Sequence, residues 1–154
     1  MDKKKAQRAL KIVEKKEKEL KRYRVKEISL DEMWTYVRSR RKEKRNSVWI
    51  WTAVLNSGEV IFEVGDRSEE TFLRLSEKLP LAQMYYTDNY KVYEYLPPKR
   101  HKIGKFGRVN RNEGIHSVLR DRLKRLARRT KSYSKSYLML KASLALVCLY
   151  LGWI

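Results

Sequence analysis

Cysteine is almost missing from this chain: Cys148 stands alone in 154 residues. A single thiol excludes an intramolecular disulfide and any zinc site built from a cysteine cluster, and it fits an intracellular protein. The N-terminus is polar and has no apolar h-region, so no signal peptide is read there. Long apolar runs are also missing. The segment Tyr137 to Ile154 is apolar but broken by Lys141 and Ser143, and its uninterrupted part, Leu144 to Ile154, is 11 residues. That is short for a membrane span. A buried final helix or an oligomer contact is the reading, with a small membrane-associated basic protein as an alternative.

Acids are the third scarcity: 18 Asp and Glu face 37 Lys and Arg, a net charge of +19. The imbalance is uneven. Residues 1–45 carry a net +10, residues 46–98 a net −4 and residues 99–135 a net +12. Two basic blocks flanking an acidic middle point to a polyanionic partner, with nucleic acid the first candidate. Solvated faces account for much of the first block. They account less well for the second, where two acids stand against fourteen bases. The length suits one domain with a real core.

The periodicity gives an α/β order. Asp2 to about Arg22 reads as a basic helix with a thin stripe of Ala6, Leu10, Val13 and Leu20, either packed on the domain or serving as a linker. No helix-turn-helix pair is evident. Val25 to Val37 reads as a strand, with Ile28, Leu30 and Trp34 on one face and Ser29, Asp31, Met33 and Thr35 on the other. A charged turn, 39–46, leads to a second strand, Ser47 to Leu55. The Asn56-Ser57-Gly58 turn and a third strand, Glu59 to Val64, complete a meander. A helix to about Leu79 is stopped by Pro80. A fourth strand, Leu81 to Thr87, returns parallel to the first. One or two helical turns (90–95), a short fifth strand (101–104) and a long helix (about 112–129) follow. On that helix Ile115, Val118, Leu119, Arg122, Leu123 and Leu126 line one side. Glu113, His116, Ser117, Arg120 and Lys124 line the other.

Five acids stand out. Asp31 sits within a core strand, where a carboxylate is costly unless paired or bound to metal. Glu32 is its neighbour. Asp88 ends the fourth strand, and strand ends in such sheets are where ligands collect. Glu113 opens a basic helix, where the helix dipole alone would also favour an acid. Asp66, three residues before Glu69, resembles a capping box and is alternatively a metal ligand. If the first and fourth strands are neighbours, Asp31 and Asp88 face each other and the helix brings Glu113 over them. Three converging carboxylates call for divalent cations. Hard oxygen ligands suit two Mg²⁺ or Mn²⁺ ions, the arrangement that drives phosphodiester transfer. Residues 127–136, basic and rich in hydroxyls, suit phosphate contacts or a solvated loop.

The pieces DEMW (31–34), FEVGDRS (62–68), YYTD (85–88) and GKFGRVNRNEGIHSVLRDRLKRLARRTKSYSKS (104–136) resemble the catalytic part of insertion sequence one (IS-one) transposases. The resemblance covers about residues 24–150, and the 24 residues between Asp88 and Glu113 match the family's spacing. It implies a DDE transposase with a ribonuclease-H-like fold, a mixed five-stranded sheet with flanking helices. Residues 1–23 form a basic helix or linker, and residues 24–154 form the catalytic domain ending in an apolar helix. Asp31, Asp88 and Glu113 are the implied catalytic acids and metal ligands; Glu32 and Asp66 are not counted among them. Arg111, Arg120, Lys124, Arg128 and Lys131 are the cations expected on phosphates. The implied reaction is metal-dependent cleavage at the element's 3′ ends and strand transfer to target DNA. The implied partners are terminal inverted repeats, target DNA, further copies of the chain on DNA and an upstream-frame DNA-binding protein, with no membrane. The expected setting is a prokaryotic cytoplasm, at the nucleoid. Full transposases of the family carry an N-terminal zinc-binding and helix-turn-helix region. Its lack here suggests a downstream-frame product or a truncated copy. A non-catalytic DNA-binding regulator is the alternative.

Overall fold

A computed structural model describes residues 3–36, 47–88, 90–104, 110–130 and 137–154. Helix α1 (Lys3–Lys21) precedes strands β1 (Val25–Tyr36), β2 (Ser47–Leu55) and β3 (Val60–Gly65). Helix α2 (Glu69–Lys78), strand β4 (Ala82–Thr87), two short 3₁₀ segments and strand β5 (His101–Ile103) follow. Helices α3 (Asn110–Thr130) and α4 (Tyr137–Tyr150) close the chain. The expected turn at 39–46 and Val37 lie outside the described residues.

The strands form one sheet in the order β3-β2-β1-β4-β5. β1 pairs antiparallel with β2 and parallel with β4, and β4 pairs parallel with β5. This mixed five-stranded sheet flanked by helices is the ribonuclease-H-like arrangement. Why it forms is visible in the alternation of side chains. Ile28 and Leu30 enter a core with Trp51, Ala53, Ile61, Phe72 and Leu75, on the α2 side. Met33 enters another with Ile50, Phe62, Val64, Leu119, Leu140 and Leu144, on the side of α3 and α4. Both faces of β1 and β2 are therefore covered, as the near-continuous apolar run of β2 requires.

α1 packs along α4 through Ala9 and Val13 and is part of the second core. An ion network ties it down. Lys78 Nζ lies 3.2 Å from Glu17 and 3.3 Å from Glu63, and Lys141 Nζ lies 2.8 Å from the other oxygen of Glu63. Four elements (α1, α2, β3 and α4) meet there. The Val60 amide at the β3 edge donates to Trp153 O at 2.7 Å, so the C-terminal residues cover part of that edge. α4 is buried at seven positions, and no helix among the described residues is long and apolar enough to cross a membrane.

Two glycines have local reasons. Gly58 has φ +102° in the turn from β2 to β3, a backbone state glycine adopts freely. At Gly65 a Cβ would lie 2.5 Å from Thr71 Oγ1 and 2.6 Å from Arg74 Nη2, so only glycine lets β3 end against α2. The expected capping box at Asp66 is not formed. α2 starts at Glu69 with Ser68 at its N-cap, and Asp66 instead accepts from the hydroxyls of Ser68 and Thr71. Those two hydrogen bonds hold its carboxyl below the usual range.

Candidate active site

The β1–β4 register places Ser29 opposite Tyr86; continued by two residues, it sets Asp31 level with Asp88. The structure brings these two together and adds Glu32: carboxylate oxygens of Asp31, Glu32 and Asp88 all lie within 4.8 Å of one another. Each is held separately. Asp31 Oδ1 accepts from the Glu32 amide at 2.9 Å, and Asp88 Oδ1 accepts from the Tyr90 amide at 3.0 Å. Glu32 turns to the α2 side of the sheet, where Oε2 accepts from Tyr93 O–H at 2.6 Å and Oε1 meets Arg67.

The electrostatics of the group are those of crowded anions. Asp31 has 17% of its side chain exposed. Burial first, then the charges of Glu32, Asp88 and Glu113, push its pKa up to about 7, against a lowering contribution from the Glu32 amide. Burial also raises Glu32, although Tyr93 and Arg67 oppose the shift. Burial and the Glu32 charge raise Tyr93 well above the usual phenol range, so it stays an O–H donor. A divalent cation would reverse the repulsion among the acids. The donor set, carboxylate oxygens with no sulfur, fits a hard cation.

Glu113 sits in the first turn of α3 and is exposed. It lies outside the close group of three, and its charge is felt at Asp31. Arg111, Arg120 and Lys124 are exposed on the same helix. Arg111 reaches Asn56 O at 3.4 Å. The side chain of Arg128, and the whole of Lys131, lie outside the described residues.

The expected faces of α3 need correction. His116, assigned to the polar side, is 3% exposed, whereas Val118, assigned to the apolar side, is 37% exposed. The helix docks through Ile115, Leu119 and Leu123, as expected, and through a polar line beside them. Asn112 Nδ2 lies 3.2 Å from Ser29 O on β1, and 3.1 and 3.0 Å from Thr52 O and Oγ1 on β2. His116 Nε2 lies 2.7 Å from the same Thr52 hydroxyl. Burial, with Arg120 nearby, lowers the His116 pKa to about 4, so the imidazole is neutral at pH 7. Its Nδ1, 3.9 Å from Asp31 Oδ2, is therefore not an ion-pair partner. Thr52 Oγ1 also donates to Asp31 O at 3.4 Å, so this one hydroxyl links β1, β2 and α3.

This clamp is hard to see in the sequence because its members are polar and apolar residues alone show the phase of α3. The one available signal was the spacing of Asn112 and His116, four apart on a single helical face. The partners of Glu32 are also hard to see there, since Arg67 and Tyr93 stand 35 and 61 residues away.

Comparison with known proteins agrees with this geometry. The family model described as IS1 transposase matches residues 25–146. The Insertion element iso-IS1n protein InsB of Shigella dysenteriae is 32% identical over 114 residues, spanning 70% of this chain and 82% of that protein. The matched span takes in all five strands, α3 and the acids Asp31, Glu32, Asp88 and Glu113. By both matches, the chain belongs to the IS1 transposase family.

Proposed function

We propose that this chain is the catalytic part of a DDE transposase, which cuts DNA at the element's 3′ ends and joins the freed 3′-hydroxyls to target DNA. The observation that carries the reading is the close approach of Asp31 and Asp88 across two parallel strands, in a protein of this family. Asp31 and Asp88 are the two ligands fixed by the sheet, and Glu113 is the third acid, supplied by α3. When bound, Mg²⁺ or Mn²⁺ ions would supply an activated water or 3′-hydroxyl and stabilise the leaving oxygen. The chain's own residues do the placing. The Glu32 amide orients Asp31, the Tyr90 amide orients Asp88, and Asn112 and His116 seat α3 on β1 and β2. Arg111, Arg120 and Lys124 lie exposed on α3 to take phosphates, with Arg128 and Lys131 further along the basic stretch. The chain acts as a homo-oligomer on paired DNA ends, with an upstream-frame DNA-binding protein as a further partner, in a prokaryotic cytoplasm.

The test is nicking of DNA in Mn²⁺ or Mg²⁺ by the full chain beside Asp31→Asn, Asp88→Asn and Glu113→Gln. Cleavage by the wild type, lost in all three variants with DNA binding kept, is expected. DNA binding without cleavage by the wild type would assign the chain to a non-catalytic regulator instead.

A further inference from the structure

Arg67 occupies an unusual place beside the three carboxylates. It follows β3 at the Gly65 close approach, and its guanidinium is fixed on three sides. Nε and Nη2 lie 3.2 and 3.0 Å from Glu32 Oε1. Its carbon lies 4.1 Å from the centre of the Tyr90 ring and 4.9 Å from that of Trp49. The Tyr90 hydroxyl donates to Arg67 O at 2.8 Å, which fixes the backbone as well. A guanidinium has five N–H donors. Glu32 takes two, and among the described residues no other group accepts from the remainder. The side chain of Glu32 is 2% exposed, but that of Arg67 is 42% exposed. Glu32 therefore anchors a cation whose outer edge is left in solvent. Glu32 is itself within 4.8 Å of Asp31 and Asp88, so that edge flanks the place where a scissile phosphate must come.

A counter-ion serving Glu32 alone has no need of this arrangement. Tyr93 O–H already donates to Glu32. The two aromatic rings restrict the guanidinium, so little rotamer freedom remains to be lost when a second anion binds. The fork geometry suits a phosphate oxygen pair. α3, with Arg111, Arg120 and Lys124, packs on the other face of the sheet from Glu32 and Arg67.

We propose that Arg67 is a DNA-phosphate-binding residue, pre-set by Glu32, Trp49 and Tyr90 to grip the backbone of the strand that crosses Asp31 and Asp88. The strand is then held by cations on both sides of the sheet. The proposal rests on DNA being the substrate.

The test measures affinity of the full chain for a short mixed-sequence duplex by fluorescence anisotropy, without divalent metal, across a salt series. Circular dichroism checks the fold of each variant. Arg67→Gln should bind more weakly, with a slope of log affinity against log salt shallower by about 0.9, the loss of one phosphate contact. The deciding variant is the double change Glu32→Gln with Arg67→Gln, which removes the ion pair without altering net charge. It should keep the shallower slope. A double variant with the wild-type slope and affinity would show that Arg67 only neutralises Glu32, and the proposal would be wrong. If Arg67→Gln fails to fold, Arg67→Lys decides the matter. One ammonium cannot serve Glu32 and keep the planar fork, so severalfold weaker binding is expected, and equal binding overturns the proposal. A wild type with no salt-dependent affinity for DNA would overturn the transposase reading along with it.

Discussion

Two groups of carboxylates lie within this domain, and they differ in how their charge is met. Glu17 and Glu63 share Lys78, and Glu63 also holds Lys141, so two acids face two bases where α1, α2, β3 and α4 meet. Burial raises Glu63, but Lys78, Lys141 and the Val64 amide outweigh it, and its pKa is lowered overall. Glu17 keeps a raised pKa because burial exceeds what Lys78 gives back. Among the described residues, Arg67 is the Lys or Arg paired with Asp31, Glu32 or Asp88, and it pairs with Glu32. Asp31 is left with a pKa of about 7. The first group is closed by its own lysines and binds elements together. The second carries charge that the described residues do not balance, an arrangement consistent with use of a divalent cation.

The largest expected effect separates the groups by function. Asp31→Asn and Asp88→Asn should each lower DNA cleavage by at least about 100-fold, more than is usual for residues that only support a metal ligand. Lys78→Met should leave the remaining cleavage chemistry in place while costing stability. Breaking a buried pair costs about 3–5 kcal/mol, and the partial exposure of Lys78 reduces this to about 2–3. A denaturant titration read beside the cleavage rate checks both halves of that statement.

The pH dependence sharpens the contrast. The Asp31 carboxyl is raised from 3.8 to about 7 in the folded state. Its favourable contribution is present below about pH 4 and is lost as pH rises through 7. Without divalent metal, Asp31→Asn should therefore gain on the wild type over that interval, by up to about 4 kcal/mol. His116, lowered to about 4, has the opposite slope. Its contribution is present above about pH 6.5 and is lost as pH falls towards 4. Only the difference between the two proteins isolates Asp31. Thermal melts of both across pH 4 to 8 give that difference, and parallel curves would contradict the crowding of the acids.

The smallest effect concerns what seats α3. Asn112→Ala removes the amide that reaches β1 and β2, leaving Ser29 and Thr52 carbonyls without that donor, for about 1–3 kcal/mol. Cleavage should fall along with stability, because Glu113 depends on the same helix. Measured by denaturant melt and cleavage rate, this variant should resemble neither group alone.

Much of this comparison was legible in the sequence. The parallel return of β4 beside β1 followed from a helix-length connection, and it set Asp31 and Asp88 together as expected. The alternation along β1 gives its two faces, and the apolar run of β2 gives its burial. What escaped the sequence depends on tertiary partners. His116 reads as a residue of the polar side because helix phase is taken from apolar positions, and here a hydrogen-bonded polar line with Asn112 is buried. Asp66 read as a cap because the Asp66–Glu69 spacing fits, while the chain instead makes an extra turn to Ser68. Glu32 read as a bystander because nothing local hints at Arg67 or Tyr93. The charged stretch 39–46 and residues 131–136 lie outside this comparison.

On this reading Asp31 and Asp88 share one cation centre. Calorimetric titration of Mn²⁺ into the wild type, Asp31→Asn and Asp88→Asn tests it most directly, with a duplex DNA end present throughout. Binding by the wild type that either single change removes is expected. Metal binding of equal strength in all three proteins, or in none of them, would contradict it.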